Sequence, residues 1–496
     1  MAILLALDAG TTSIRCLAVD ESAQVIDHSH RELTQSFPQP GWVEHNPQEI
    51  LRLAIETLSE VARRIVTSGQ TIAGLGITNQ RETVVAWDRA TGLPLAPAIV
   101  WQDRRTAERC AELRDLGLGQ MIRSTTGLMI DPYFSATKME WLLGHGVIDR
   151  AAQPALGTID SWLIWNLTGS FVTEPSNAAR TMLCDLASGT WSPELCSLFG
   201  IPANLLPEII ASASDFGSII HPDLPALTGI RIEGVLGDQQ AALFGQCCFT
   251  PGMVKATYGT GAFVLVNAGE QRPQALDGLV TTIAWTLDST TTYALEGSAF
   301  VAGAAIQWLR DGLGVIDRAD QLEALALSDT ATERLAFIPA FAGLGSPWWD
   351  EGARGALVGI TKGSNRAALA NAVVHSLAFE VRAMVDVMAS GLDVPIKEIR
   401  LDGGASVMDL LAQRLANQSA TLICRPRSLE TTALGAATLA GLHCGVFADQ
   451  SSLGELWEAS ARFDPEGKRD VHTAHYEQWL DALQRARAIG SPPSST

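Results

Sequence analysis

Three short turns rich in glycine and hydroxyl side chains, far apart in the sequence, constrain the fold of this chain most strongly. They span residues 8–13, 258–261 and 402–405, and each follows an apolar run. Glycine lets the backbone approach a bound group closely, and Thr or Ser adds a hydroxyl beside the exposed N–H groups. One such turn is more often only a turn. Three of them on one chain indicate a nucleotide that is bound from several sides.

Length, charge and hydropathy limit the class of protein. A chain of 496 residues is too long for one core and fits two large domains. A hydrophobic content of 47% with 18% charged residues argues against disorder, except in the Ser/Pro-rich tail from residue 491. The net charge of −19 disfavours nucleic acid and anionic membrane surfaces as partners. The Ala/Gly-rich stretch 432–447 predicts a buried helix rather than a membrane span.

The cysteines and the N-terminus indicate the compartment. The eight cysteines are scattered and form no Cys-x-x-Cys pair, so they support neither a zinc site nor a thioredoxin-like motif. Asp8 interrupts the apolar N-terminal run and no basic segment precedes it, so the run does not look like a signal peptide. We therefore predict a cytoplasmic protein with unpaired thiols and no integral membrane segment.

The first half of the chain predicts a sheet that is followed by a helix. Residues 2–7 and 14–19 form apolar runs on either side of the first glycine-rich turn, which predicts two paired strands. A helix is predicted over 47–68, with Asn46 as its cap and Pro47 in its first turn. Sheets that alternate with helices are typical of an α/β fold.

The second half repeats this order. Strands are predicted at 254–257 and 263–267, around the second glycine-rich turn. Helices are predicted at 303–310 and at 367–389, the latter long and amphipathic. We place the boundary between the halves near residue 246, which gives domains 1–246 and 247–496. A phosphate turn in each half predicts a cleft that the two domains share.

The first turn has the residues of a phosphate site. Its backbone N–H groups and the hydroxyls of Thr11 and Thr12 suit phosphate oxygens, and Arg15 adds positive charge. Asp8 suits Mg²⁺ through water, because that ion usually keeps several waters. The alternative is an ordinary hairpin turn, and the motif alone leaves the two interpretations about even.

Adjacent Arg81 and Glu82 predict recognition of hydroxyl groups if they lie in a loop. In a strand they would point to opposite faces, so only a loop brings both to one pocket. A donor beside an acceptor suits a polyol. The alternative, a solvated surface pair, is favoured for this pair considered alone. Trp101 and Tyr133 lie in polar loops, where they suit either the carbon faces of a ligand or ordinary core packing.

Asp238 ends an apolar strand and precedes a predicted helix at 241–245. This position suits a general base that takes a proton from a substrate hydroxyl. It equally suits a helix N-cap, which is a standard role of Asp.

Taken together and in order, several segments resemble the FGGY carbohydrate kinases of the sugar kinase/Hsp70/actin superfamily, and among them the members that phosphorylate glycerol. The segments are 8–13, 77–83, 99–102, 131–135, 237–245 and 258–261. The resemblance covers the chain to about residue 447. It implies two ribonuclease-H-like (actin-like ATPase) domains that flank a central cleft, in which ATP and glycerol meet to give sn-glycerol 3-phosphate.

The resemblance also implies a role for individual residues, with Asp238 as the general base and Asp8 as the ligand of Mg²⁺. The implied glycerol-binding residues are Arg81, Glu82, Trp101, Tyr133, Asp238, Gln239 and Phe263. The implied nucleotide-binding residues are Thr11, Thr12, Ser13, Arg15, Thr260, Gly303, Gln307, Gly404 and Met408. Met408 stands where the family usually has Asn, and Ala9 where it usually has Gln. ATP and Mg²⁺ are the expected cofactors, and we expect a homo-oligomer, either a dimer or a tetramer.

Two other functions remain as alternatives. The first is an FGGY kinase for another polyol or a ketose, which a panel of substrates separates because a site built for three hydroxyls rejects analogues that lack one. The second is a non-catalytic ATP-binding module of the actin/chaperone type. Such a module would keep the three glycine-rich turns but would not need Arg81, Glu82 or Asp238. Turnover with glycerol distinguishes it from a kinase.

Overall fold

Strands and helices alternate along the chain in the computed structural model, which describes residues 2–148, 154–329 and 335–490. This alternation confirms the predicted α/β class. Within those ranges no helix is long and apolar enough to cross a membrane. The predicted disordered tail, from residue 491 onward, lies outside the described residues.

The first half of the chain contains strands β1 to β13 and helices α1 to α8. The strands are β1 (Ala2–Ala9), β2 (Ser13–Val19), β3 (Val25–Glu32), β4 (Glu44–His45), β5 (Thr71–Asn79), β6 (Val84–Trp87), β7 (Ala98–Ile99), β8 (Ala155–Thr158), β9 (Val172–Thr173), β10 (Cys184–Asp185), β11 (Thr190–Trp191), β12 (Glu208–Ile209) and β13 (Ile232–Gly237). The helices are α1 (Pro47–Thr67), α2 (Ala107–Asp115), α3 (Gly119–Thr126), α4 (Ser135–Gly144), α5 (Ile159–Thr168), α6 (Pro175–Ala178), α7 (Pro193–Leu198) and α8 (Asp238–Gly245).

The second half contains strands β14 to β22 and helices α9 to α15. The strands are β14 (Met253–Tyr258), β15 (Ala262–Gly269), β16 (Val280–Leu287), β17 (Thr290–Ala299), β18 (Ala336–Ile338), β19 (Ala356–Val358), β20 (Glu398–Asp402), β21 (Leu422–Pro426) and β22 (Ala459–Phe463). The helices are α9 (Gly303–Gln307), α10 (Leu322–Leu327), α11 (Arg366–Ser390), α12 (Asp409–Ser419), α13 (Thr431–His443), α14 (Gln450–Leu456) and α15 (Arg469–Gly490).

A five-stranded sheet with the strand order β13-β5-β1-β2-β3 forms the centre of the first half. β1 pairs antiparallel with β2 and parallel with β5, and β5 pairs parallel with β13. At the carboxyl ends of the parallel strands, Asn79 lies between Ala9 of β1 and Gly237 of β13. The turn after β1, the loop after β5 and the start of α8 therefore meet at one edge, which is where ligands bind in open α/β sheets.

The sheet of the second half repeats the same pairing within seven strands, in the order β16-β17-β15-β14-β20-β21-β22. β14 pairs antiparallel with β15 and parallel with β20, with Thr257 opposite Asp402. The second and third glycine-rich turns, which follow β14 and β20, therefore lie side by side. Each half thus presents glycine-rich turns at the carboxyl edge of its sheet.

Helices α8 and α13 pack against each other where the two sheets meet. A Cβ atom on Gly435 of α13 would lie 1.8 Å from the carbonyl oxygen of Ala241, and one on Gly245 of α8 would lie 2.0 Å from that of Thr431. Such a close approach of two helices requires glycine at both positions. The hydrophobic core around them contains residues of both sheets. α13 is the buried helix that the Ala/Gly-rich stretch predicts.

Two helices of the second half differ from the prediction. The helix predicted from Gly303 is α-helical only to Gln307 and continues as a π-helix over Trp308–Gly312. The long helix α11 is buried on most of its faces rather than amphipathic. The physical reason is that it packs against the sheet, α10, α12 and α15 at once, and a helix that is covered all round need not have a polar side.

Candidate active site

A cleft of about 1850 Å³ lies between the two halves, and residues of the first and second glycine-rich turns line it, whereas those of the third do not. The predicted site residues that line it are Asp8, Thr11, Thr12, Ser13, Arg15, Trp101, Tyr133, Asp238, Gln239, Thr260 and Phe263. The predicted site residues that do not line it are Arg81, Glu82, Gly303, Gln307, Gly404 and Met408. Residues far apart in the sequence are thus brought to one cavity, as the paired turns predict.

Hydrogen bonds within the turn and to neighbouring loops hold the first glycine-rich turn in place. Gly10 N donates to Ser13 O at 3.0 Å, which closes the turn. Trp101 Nε1 donates to Thr11 Oγ1 at 2.9 Å, which ties the turn to the loop after β7. Thr12 is exposed to the cleft. The turn is therefore a fixed structure that offers hydroxyl and N–H groups to an anion.

Arg15 forms an ion pair with a carboxylate from each half of the chain. It lies opposite Asp8 in the β1–β2 ladder. Its guanidinium contacts Asp8 Oδ2 at 2.5 Å and Glu430 Oε2 at 2.6 Å, and the charge of Asp8 raises the pKa of Arg15. Glu430 is the N-cap residue of α13. The arginine expected near the phosphates thus also links the two sides of the cleft.

Arg81 and Glu82 are both buried, with side chains that are only 2% exposed, so they are not a solvated surface pair. The two terminal nitrogens of Arg81 donate to the two carboxylate oxygens of Glu296 at 2.6 and 2.8 Å. Although burial opposes ionisation, Arg180 and Arg81 lower the pKa of Glu296 to about 2. This bidentate geometry fixes the guanidinium plane of Arg81 directly behind the cleft.

A second buried arginine completes the ion network. Arg180 Nε donates to Glu82 Oε1 at 2.7 Å, and its guanidinium contacts Glu296 Oε1 at 3.2 Å. The ion pairs of this network join two cations, Arg81 and Arg180, to three carboxylates, Glu82, Glu296 and Asp238. The charges of Asp402, Glu296 and Asp238 also act on buried Lys255. Pairing matters because an unpaired charge in such a site costs several kcal/mol.

Asp238 is the member of this network that reaches the cleft. Its side chain is 30% exposed, and Oδ1 lies 3.3 Å from Arg81 Nε. Burial raises the pKa of its carboxyl, Arg81 and Lys255 lower it, and Glu82 raises it. Asp238 is the first residue of α8 and Gly237 is the N-cap, so the N-cap interpretation of Asp238 is wrong. A partly buried carboxylate at the cleft wall has the environment of a general base.

Aromatic rings form an apolar wall of the same cleft. Trp101 and Tyr133 meet edge to face with their ring centroids 5.5 Å apart. Arg81 donates to the Tyr133 hydroxyl at 3.4 Å, and burial raises the pKa of Tyr133. Phe263 lines the cleft from β15. The combination of apolar rings with buried polar groups is typical of a small-molecule site.

The predicted nucleotide residues of the second half lie around the second and third turns. Thr260 is exposed in the cleft, and Gly303 N donates to Gly259 O at 2.9 Å beside it. Gly404 borders open space, because a Cβ atom on it would have no neighbouring atom within 4 Å. Met408, in contrast, is 7% exposed and packs in the core of the second half.

Sequence reasoning missed Arg180, Lys255, Glu296 and Glu430. The ladder explains two of them, because Lys255 of β14 and Glu296 of β17 both lie opposite Leu265 of the intervening strand β15. Paired positions share one face of a sheet, so both charges point toward the interface of the halves. The signal available in the sequence was one charged residue within each otherwise apolar strand, because a charge that is buried in a strand usually has a partner.

A metal would have to be held mainly by water and ligand phosphates. Across the described ranges, no group of three or more His, Cys, Asp or Glu side chains is arranged to hold an ion. Mg²⁺ nevertheless needs only one or two carboxylates when phosphates supply the other oxygens. Asp8 lines the cleft beside the first turn and fits that requirement.

Family models match both halves of the chain. The model of the FGGY family of carbohydrate kinases, N-terminal domain, matches residues 3–245. The corresponding C-terminal domain model matches residues 254–444. The chain therefore belongs to the FGGY family of carbohydrate kinases, as its sequence motifs indicate.

Individual relatives match over nearly the whole length. A glycerol kinase of Bordetella parapertussis is 46% identical over 501 residues, covering 99% of this chain and 98% of the relative. A glycerol kinase of Acidovorax ebreus is 47% identical, covering 98% and 99%. The crystal structure of Plasmodium falciparum glycerol kinase with ADP aligns with a TM-score of 0.92 at 33% identity, covering 98% of both chains. A gluconate kinase from Lactobacillus acidophilus has a TM-score of 0.90 at 22% identity, covers 98% of both chains, and shows the fold alone.

Proposed function

We propose that this chain transfers the γ-phosphoryl group of ATP to a hydroxyl of glycerol, giving sn-glycerol 3-phosphate and ADP. Relatives that are 46–47% identical over nearly the full length are glycerol kinases, which supports the choice of substrate. The observation that carries the proposal is the position of Asp238, whose carboxylate reaches the cleft 3.3 Å from buried Arg81. A carboxylate beside fixed donors suits a hydroxyl that must lose its proton.

Glycerol would lie between the aromatic wall and the buried ion network. Arg81, Glu82, Tyr133 and Gln239 would bind its hydroxyls, with Asp238 at the attacking one. Trp101 and Phe263 would contact its carbon atoms. Donors and acceptors that are already held in place suit a transition state, because they need not reorganise during the reaction.

The step itself exchanges one P–O bond for another. Asp238 accepts the proton of the attacking hydroxyl, the hydroxyl oxygen bonds to the γ-phosphorus, and the bond from that phosphorus to the β-phosphate oxygen breaks. ADP leaves with the electron pair of that bond. Because burial raises the pKa of Asp238, its carboxylate is a stronger base than an exposed one.

The nucleotide would lie along the glycine-rich turns. Its phosphates would meet Thr11, Thr12, Ser13 and Arg15 on one side and Thr260 on the other. The remainder of the nucleotide would lie along Gly303, Gln307, Gly404 and Met408. When bound, Mg²⁺ neutralises phosphate charge, and Asp8 would hold it through water.

We also propose the organisation and location of the protein. Domains of residues 1–246 and 247–496 agree with family matches that end at 245 and begin again at 254. The chain forms a homo-oligomer, either a dimer or a tetramer, and light scattering of the purified protein tests this by measuring its mass. The cytoplasmic location rests on the scattered cysteines and is tested by fractionation of cells.

A panel of acceptors tests the substrate. ADP release is measured with glycerol, a four-carbon polyol, a ketose and gluconate at equal concentration. We expect kcat/KM for glycerol to exceed the others by about 10²-fold or more, because unpaired polar groups in a site strongly penalise the wrong ligand. A higher value for the ketose would favour another FGGY activity. ATP binding without turnover on any acceptor would favour a non-catalytic module.

A further inference from the structure

Lys255 is a buried lysine that touches both halves of the site without lining the cleft. Its Nζ atom donates to Gln239 Oε1 at 2.5 Å, to Thr257 Oγ1 at 2.9 Å and to the carbonyl oxygen of Phe263 at 3.3 Å. An ammonium group has three donors and no acceptor, so all three protons are used. Lys255 thereby connects β14 and β15 of the second half to α8 of the first.

We infer that Lys255 is a positioning residue that fixes the side-chain amide of Gln239 and makes it a hydrogen-bond donor to the substrate, an inference that rests on the proposed function. The reason is chemical, since an ammonium can only donate and so requires the oxygen of the amide to face it. The two ends of a glutamine amide are otherwise hard to distinguish. Here the charge of Lys255 decides between them.

The amide nitrogen of Gln239 is then left for the ligand. Among the residues that the structure describes, no hydrogen bond joins Gln239 Nε2 to another protein group, and Gln239 lines the cleft. A hydroxyl that meets Nε2 must accept the bond, so it keeps its own proton for another acceptor. With the amide reversed, Oε1 would compete with the neighbouring Asp238 for a hydroxyl proton. The fixed orientation therefore leaves proton transfer to Asp238.

The charge of Lys255 is itself held by groups from every side. The carboxylates of Asp402 on β20, Glu296 on β17 and Asp238 on α8 raise its pKa, whereas Arg81 lowers it. Burial outweighs them and lowers the pKa of Lys255 to about 8. Above that pH the neutral amine gains a lone pair, so it no longer dictates which end of the amide faces it.

This titration gives a signature in glycerol binding. At pH 9 only about one tenth of the molecules keep the charged form, so the apparent glycerol KM rises about tenfold relative to pH 7 if only that form binds well. A role in folding alone would not produce a change confined to the glycerol KM.

Gln239→Glu tests the inference with the buried lysine intact. The carboxylate offers no donor, so glycerol KM at pH 7 rises by about tenfold or more. Because no amide is left for Lys255 to orient, glycerol KM of this variant does not rise between pH 7 and pH 9 as it does in the wild type. An alkaline rise of the wild-type size in Gln239→Glu overturns the inference.

Lys255→Met is the second test, with the exposed Lys397→Met as its matched control. We expect Lys255→Met to raise glycerol KM about tenfold and to leave ATP KM within about twofold, whereas the control changes neither. Combined with Gln239→Ala, Lys255→Met adds less than about twofold, because both changes remove the same donor. Lys255→Arg restores part of the affinity, since guanidinium also only donates.

The outcomes separate this inference from the proposed function. Absence of glycerol-dependent ADP release by the wild type would refute the proposed function. An active wild type together with additive effects of Lys255→Met and Gln239→Ala would refute only the role of Lys255. If Lys255→Met does not fold, the presence or absence of the alkaline rise in glycerol KM of Gln239→Glu decides alone.

Discussion

Glu296 holds two buried arginines in place, so replacing it with glutamine tests the ion network at its centre. Its carboxylate accepts from Arg81 at 2.6 and 2.8 Å and contacts Arg180 at 3.2 Å, and its side chain is fully buried. Glu296→Gln keeps the shape but removes the charge. Arg81 then loses its bidentate carboxylate partner, and Arg81 and Arg180 both lose a negative charge beside them.

Two arguments give the expected decrease in the free energy of unfolding of Glu296→Gln. The difference between the ordinary pKa of 4.5 and about 2 for Glu296 corresponds to about 3 kcal/mol. Removal of one partner from a buried ion pair costs about 3–5 kcal/mol in other proteins. Both values predict a decrease of about 3 kcal/mol in the free energy of unfolding. For a unit of about 250 residues this lowers the melting temperature by about 6–12 °C.

Urea unfolding at several pH values is the assay. Because the folded pKa of Glu296 lies below its unfolded value, its contribution is complete above about pH 5 and decreases as the pH falls from there toward 2. The difference in the free energy of unfolding between the wild type and Glu296→Gln is therefore largest near pH 7 and clearly smaller at pH 3.5. Exposed Glu455→Gln is the matched control and changes the free energy of unfolding by less than about 0.5 kcal/mol. A difference in the free energy of unfolding below about 1 kcal/mol at pH 7 would refute a stabilising role of the Glu296 charge.

Three further variants and one control variant test the base, the helix packing and the nucleotide site. Asp238→Asn should lower kcat by about 10²- to 10⁴-fold with little change in glycerol Kd, and a near-normal kcat would remove Asp238 from the role of base. Gly435→Ala places a Cβ 1.8 Å from the carbonyl oxygen of Ala241 and should lower the free energy of unfolding by more than about 3 kcal/mol. Gly454→Ala, with nothing within 4 Å, should change it by less than about 1 kcal/mol, so equal effects would contradict the helix-packing argument. Met408→Asn should cost about 1–3 kcal/mol in stability, because Met408 is buried. We expect the same variant to bind ADP about fivefold more tightly by calorimetry, because Asn gains a hydrogen bond to the nucleotide. Unchanged ADP binding would remove Met408 from the nucleotide site.

The parts of the candidate site that the sequence places at the cleft are those with local signals. Turn chemistry at the end of an apolar run located residues 8–13 and 258–261, and both line the cleft. Asp238 was singled out because it stands between a strand and a helix, although the sequence alone could not distinguish a helix cap from a base. The sequence also could not show that Arg81, far away in the chain, lies 3.3 Å from this carboxylate in the fold.

The parts that were missed depend on register and on contacts between the halves. Glu296 lies 215 positions from Arg81, and only the alignment of β14, β15 and β17 brings it to the site. The resemblance places Met408 near the nucleotide and the structure packs its side chain in the core, so its contact with the nucleotide stays a prediction. A sequence motif fixes the order of residues but not the direction of each side chain.

The most direct measurement of the central claim is glycerol-dependent ADP release by the wild type and by Asp238→Asn under the same conditions. The same samples are assayed for sn-glycerol 3-phosphate with an enantioselective dehydrogenase. The account predicts that the wild type forms ADP and sn-glycerol 3-phosphate in equal amounts, and that the variant binds glycerol but forms neither at more than about one hundredth of that rate. ADP release that does not depend on glycerol, or equal turnover by the two proteins, would contradict it.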